Sequence, residues 1–267
     1  MNKQVIQTLG LVSLSALFIG GFAMTGWADS DSVSNGGHVT FEGELITGPV
    51  DPENPGTPVD PGESPSTTGD LRIDFVPQLN FHANKITNKD VTYPVNAQLF
   101  HDGTAPRGNF IQITDLRSEA TGWTLQLRQE TQFQNTGTVN SQLDGAVLSL
   151  DDAWVNSTRE ASLAPTVSKE VIHLDNIGAT YNLAEASAGK GAGTWLISFG
   201  ASSTNPKGLD STLTPKVDAK GNAVLDSTFE NQQIQENSAI TLSIPGATKI
   251  DPVTYTTVLT WVLAELP

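Results

Sequence analysis

Side chains able to do chemistry are few in this chain and lie far apart. The four histidines, His38, His82, His101 and His173, form no H-E-x-x-H pair and no closely spaced ligand set, so no zinc site is expected. Cysteine is absent, which removes disulfides, thiol nucleophiles and thiolate-bound metals. No G-x-S-x-G elbow occurs. Gly189-Lys190-Gly191-Ala192-Gly193-Thr194 lacks the residue order of a phosphate loop and reads as a flexible hairpin turn. A glycoside hydrolase needs two facing carboxylates. Asp151-Asp152 beside Trp154 is the one suggestive cluster, since acids next to an aromatic ring suit a sugar. Neighbouring strand residues point to opposite faces, so the pair reads instead as a solvated turn after Leu148-Ser149-Leu150. No calcium-loop pattern is present. No catalytic residue, metal or cofactor is therefore assigned, and a hydrolase remains a minor alternative.

Tryptophan is the residue that stands out. Trp123-Thr124-Leu125 follows Thr121-Gly122, and Trp261-Val262-Leu263 follows Leu259-Thr260. A spacing of two on a strand sends Trp and Leu to the same face. Two uses of that face stay open. One is core packing, where large aromatics bury the most area. The other is an apolar aromatic patch for a glycan or a partner protein.

The elements that carry these residues are strands. From Asp70 to Pro267, short runs of period two alternate with turn residues. Leu71, Ile73 and Phe75 share a face; so do Trp123, Leu125 and Leu127, then Trp195, Ile197 and Phe199, then Ile240, Leu242 and Ile244. Tyr255, Leu259, Trp261 and Leu263 form a last set. Helical patterns are short and weak, the best lying around Asn182 to Ser187. Many half-buried strands between Gly, Asn, Asp and Pro predict an all-β, antiparallel, sandwich-like single domain over 70–267.

Two segments precede it. Residues 1–28 read as a secretory signal peptide: Lys3, an apolar run from Leu9 to Met24, and the small-x-small site Gly26-Trp27-Ala28. The run is shorter than the roughly 20 residues a membrane span needs. No other stretch reaches that length, and no anchor pattern follows Ala264-Glu265-Leu266-Pro267, so no membrane span is expected in the mature chain. Residues 29–69 read as one strand, 38–46, followed by an extended spacer. Val39, Phe41, Gly43 and Leu45 alternate with His38, Thr40, Glu42 and Glu44. Gly48 to Gly69 then carries six of the 15 prolines, with Pro49-Val50-Asp51-Pro52 repeated as Pro58-Val59-Asp60-Pro61. Proline removes donors and fixes φ, which predicts an extended, coreless tether.

Charge narrows the partners. Fourteen Lys and Arg against 29 Asp and Glu give a net charge of −15 over 267 residues. Nucleic acid and anionic membranes both need a basic footprint that is missing. Charged residues are only 16 % of the chain, so Ser, Thr, Asn, Gln and Gly carry most of its polarity, which suits a β-rich extracellular protein.

Taken together, the two W-x-L motifs, the signal peptide, the Pro/Asp/Gly segment, the opening strand Gly69-Asp70-Leu71-Arg72-Ile73-Asp74-Phe75-Val76-Pro77 and Gly193-Thr194-Trp195 resemble the WxL-domain surface proteins of low-GC Gram-positive bacteria. The most specific match is Tyr255-x3-Leu259-Thr260-Trp261-x-Leu263-x3-Pro267. The resemblance implies a secreted, non-enzymatic protein held non-covalently on the cell wall, with peptidoglycan as ligand. It also implies assembly with other WxL-type proteins and a membrane-anchored WxL-interacting protein, and adhesion to a host or matrix ligand. Carried onto this sequence, the binding candidates are Trp123, Leu125, Trp261 and Leu263, with Tyr255 secondary. The alternative is an adhesion or structural subunit whose direct ligand is a partner protein rather than the wall. A divalent cation bridging acidic groups is a third route to the wall.

Overall fold

The computed structural model describes residues 48–266. The expected signal peptide and the strand at 38–46 lie outside the described residues. As the alternation predicts, the regular secondary structure of the described chain is almost wholly antiparallel strand.

The strands fall into three main sheets. The first runs, in spatial order, β1 (Leu71–Phe75), β3 (Asn109–Asp115), β10 (Gly193–Phe199) and β6 (Ala153–Asn156). The second runs β11 (Leu213–Pro215), β14 (Gln235–Ile244), β5 (Val147–Leu150) and β8 (Ile172–Leu174), with β2 (Val91–Asn96) also paired to β14. The third runs β15 (Leu259–Glu265), β4 (Trp123–Gln129), β9 (Thr180–Ala186) and β7 (Thr166–Val167). A small ribbon of β12 (Leu225–Asp226) and β13 (Gln232–Gln233) stands apart.

All three inner faces converge on one core. Ile113 and Trp195 come from the first sheet, Leu148 and Leu242 from the second, Leu125 and Leu127 from the third. β4 shows the cause most simply: Trp123, Leu125, Leu127 and Gln129 are buried, while Thr124, Gln126 and Arg128 between them are half-buried. β3 departs from that pattern and is buried along its whole length.

The reason lies in residues 48–61, where the structure departs from the extended, coreless reading. They form a hairpin folded onto the outer face of the first sheet. Val59 N–H donates to Pro49 O at 3.1 Å and Asp51 N–H to Thr57 O at 2.9 Å. Val50 and Val59, the apolar residues of the repeat, are buried with Phe75, Phe100, Phe110 and Leu196 in a second small core. Arg107 clamps the hairpin, donating twice at 2.9 Å to the Asp51 carboxylate and reaching Glu53 at 3.3 Å. Glu53 also accepts from the Ser202 N–H and hydroxyl at 2.7 and 2.6 Å. Burial opposes the Arg107 charge, but the Asp51 and Glu53 carboxylates outweigh it and hold the guanidinium above its ordinary pKa. Ser64 and Thr67 continue alongside β1, bonded to Val76 and Ile73.

Two local expectations also change. Asn182 to Ala186 is not helical: it lies in β9, where pairing with β4 overrides a weak local pattern. The glycine-rich run 189–193 is not a hairpin turn, because β9 and β10 belong to different sheets and the run crosses between them.

Candidate functional site: the paired W-x-L strands and the groove beside them

The two motifs are neighbours. β15 pairs antiparallel with β4 so that Leu263 faces Leu125, Trp261 faces Leu127 and Glu265 faces Trp123. All four motif side chains therefore project from one face of the third sheet, toward the core. Arg117 joins the motifs at one end. Its guanidinium bonds Asp115 at 2.8 Å, Gly122 O at 3.1 Å and Glu265 at 2.6 Å, and the Asp115 bond does most to raise its pKa. Nothing in the spacing of the sequence singled out Arg117.

Their exposure differs. Trp123 and Leu125 are fully buried. The Trp123 indole N–H donates to Gly191 O at 3.2 Å, which ties it to the glycine-rich crossover. That close packing is why glycine is needed there. Gly191 has φ +78°, and a Cβ on it would lie 2.5 Å from Trp123 Nε1. Gly122, just before the motif, has φ +96°, and a Cβ there would run into the Ala186 carbonyl.

Among the described residues β15 is an edge strand, and Trp261 and Leu263 are only half-buried on it. Leu259 and Trp261 form one wall of a groove of about 1320 Å³. Its floor is core: Ile73, Phe133, Leu148, Leu242 and Ile244. The opposite wall is the loop between β1 and β2, anchored by Phe81 packed edge-on to Phe133 at 6.2 Å. Periodicity gave no hint of this loop's part. Tyr93 and Tyr255 line the groove, while Ile86 and Val253 at its rim are 53 % and 43 % exposed.

Most polar groups of the groove are already engaged. The Tyr255 hydroxyl donates to Asn140 O at 2.7 Å and accepts from Asp251 N–H. The Asp251 carboxylate accepts from Thr138 and from Asn140, and these bonds hold its pKa below the usual range. Tyr93 donates to Lys85 O at 3.2 Å. His82, paired to Asn96, is held below its ordinary pKa by burial and then by Lys216, against Asp226 and Glu236. Lys85 and Asp251 are the charged residues of the lining, apart from the titratable His82.

The acids of the hydrolase reading lie elsewhere. Asp151 and Asp152 occupy a turn between β5 and β6, with Asp152 at φ +50°. Burial, then Asp151 and Asp210, push the Asp152 carboxyl up. Trp154 is buried and bonded to Gly200 O at 2.8 Å, so it offers no open ring for a sugar beside them. Among the described residues no group of three or more His, Asp or Glu is placed to hold a metal.

Among the described residues, then, an all-β domain carries a large groove beside a half-buried aromatic strand. The chain belongs to the WxL family: the model of the WxL domain, described as surface cell wall-binding, matches residues 28–267. It is a cell-wall-binding protein of the extracellular cell surface. No curated protein and no solved structure matches the chain. Among the described residues no helix is long and apolar enough to cross a membrane.

Proposed function

We propose that the protein attaches non-covalently to the wall by direct contact with peptidoglycan, made in the groove beside Trp261. The observation that carries this reading is the contrast between the motifs. Trp123 is sealed in the core, whereas Trp261 presents a face to a groove large enough for an extended ligand. Trp123 and Leu125 support binding by shaping the sheet that carries β15. At −15 the chain is repelled by anionic wall polymers, so contact rests on apolar and hydrogen-bonded groups. Assembly with other WxL-type proteins, a membrane-anchored WxL-interacting protein and a host ligand completes this reading.

The test is pelleting of the chain, freed of its first 28 residues, with protein-stripped sacculi. Wild type is expected to pellet, and a folded Trp261→Ala variant to stay in the supernatant. A folded Trp261→Ala that pellets like wild type overturns the assignment. The second reading, attachment through a partner protein, is favoured by the exposed apolar rim at Ile86 and Val253. Wild type that ignores stripped sacculi but binds walls retaining their proteins selects it.

A further inference from the structure

The geometry of β15 points to which part of peptidoglycan it takes. We infer that the groove holds the stem peptide, laid in extended form along the outer edge of β15, rather than the sugar backbone. This inference rests on the wall-binding reading above and deepens it.

The ladder between β4 and β15 fixes which main-chain groups are free. Glu130 N–H donates to Val258 O at 2.8 Å, and Leu266 N–H donates to Gly122 O at 3.2 Å. Both pairs continue the register in which Leu259 faces Gln129 and Glu265 faces Trp123. Antiparallel pairs alternate between bonded and non-bonded residues. Thr260, Val262 and Ala264 therefore bond to β4. Leu259, Trp261 and Leu263 turn their N–H and C=O groups outward, to the side where no strand pairs with β15 among the described residues. The Trp-x-Leu spacing thus aligns two things at once: side chains on one face, and open main-chain donors and acceptors on one edge.

An extended peptide matches such an edge, because it supplies the complementary donors and acceptors in register. A sugar does not, and would depend on polar side chains. The aromatic hydroxyls and the acid among them are already engaged within the protein: Tyr255 with Asn140, Tyr93 with Lys85, and Asp251 with Asn140. The rest of the lining mixes apolar side chains, suited to the small methyl-bearing side chains of a stem, with a few polar ones such as Gln78, Thr254 and Thr256. Lys85, the one Lys or Arg of the lining, offers an ammonium to a stem carboxylate, while the Asp251 carboxylate of the same lining is held by Thr138 and Asn140. Main-chain pairing needs only the few α-linked residues that face Leu259, Trp261 and Leu263, not the whole stem.

Two experiments test this. In the first, wild type is pelleted with intact sacculi, with free stem peptide added as competitor, and its binding to glycan strands stripped of their stems by an amidase, which are soluble, is measured with those strands immobilised on beads. Stripping is expected to weaken binding at least tenfold, and free stem peptide to displace the protein from intact sacculi. Equal binding to stripped glycan, or no displacement, overturns the inference while leaving wall binding intact. Failure to bind intact sacculi overturns the underlying reading instead.

The second compares Leu259→Pro with Leu259→Ala, each checked by thermal melt. Both lose the side chain, but only proline removes the outward N–H, at a first strand position where proline is tolerated. Leu259→Pro is expected to bind roughly three- to tenfold more weakly than Leu259→Ala, the effect of one main-chain hydrogen bond. Equal affinity in two folded variants overturns main-chain pairing. If Leu259→Pro melts early, the stripped-sacculus comparison decides alone.

Discussion

Leu263 lies directly across from Leu125, on adjacent antiparallel strands of one sheet. The two W-x-L motifs are therefore one structural unit with an inner and an outer strand. The inner strand is sealed and the outer is half open, so equivalent substitutions in the two motifs should have different consequences.

Trp123→Ala removes a fully buried aromatic and strands Gly191 O without its donor. It should cost about 3–5 kcal/mol. Trp261→Ala removes a half-buried one and should cost roughly 1–2 kcal/mol. Thermal or denaturant melts check the order. Equal losses would show that β15 is as deeply packed as β4.

Gly191→Ala should be nearly as damaging as Trp123→Ala, although it adds only a methyl. The residue sits at φ +78°, and its Cβ would press on the Trp123 indole. Left-handed strain alone is worth about 1–3 kcal/mol. Near-ultraviolet circular dichroism should report the indole's displacement, and an unchanged spectrum with an unchanged melt would refute the contact.

Asp51→Ala leaves Arg107 buried with Glu53 as its remaining acid partner, contacted at a longer distance. Breaking a buried pair on one side costs about 3–5 kcal/mol. The loss should appear first as release of residues 48–61, seen as new protease cleavage there while the sheets still melt as a unit. A hairpin that stays resistant would mean that Val50 and Val59 hold it without the ion pair.

His82 has a pKa below its ordinary 6.5, so the folded state binds that proton more weakly than the unfolded chain. Its stabilising contribution is complete above the unfolded value. It is lost as pH falls from about 6.5 towards the lower native value. Nuclear magnetic resonance titration should place the His82 midpoint below 6.5, and His82→Gln should flatten the fall in melting temperature between pH 7 and 5. A midpoint at or above 6.5 would remove the effect.

The alternation of Trp123, Leu125 and Leu127 made β4 legible in the sequence, as did the shared face of Ile240, Leu242 and Ile244. Burial on one face leaves that mark locally. The adjacency of Leu125 and Leu263 left none, because it depends on pairing across more than a hundred residues. The proline repeat misled for a related reason. Its prolines and acids read as solvated, yet Val50 and Val59 were the informative residues, and Arg107, distant in sequence, neutralises Asp51. Exposure of Trp261 was illegible too, since period two names a face but not whether a strand is central or at an edge.

The distance along the chain between β4 and β15 has a consequence for timing. Thr260 bonds Glu130 across 130 residues of sequence. The third sheet cannot close over the core until its last strand has been delivered. Contacts this non-local make folding slow. Until β15 arrives, Trp261 and Leu263 have no sheet to stand on, so the groove is among the last features of the domain to take shape.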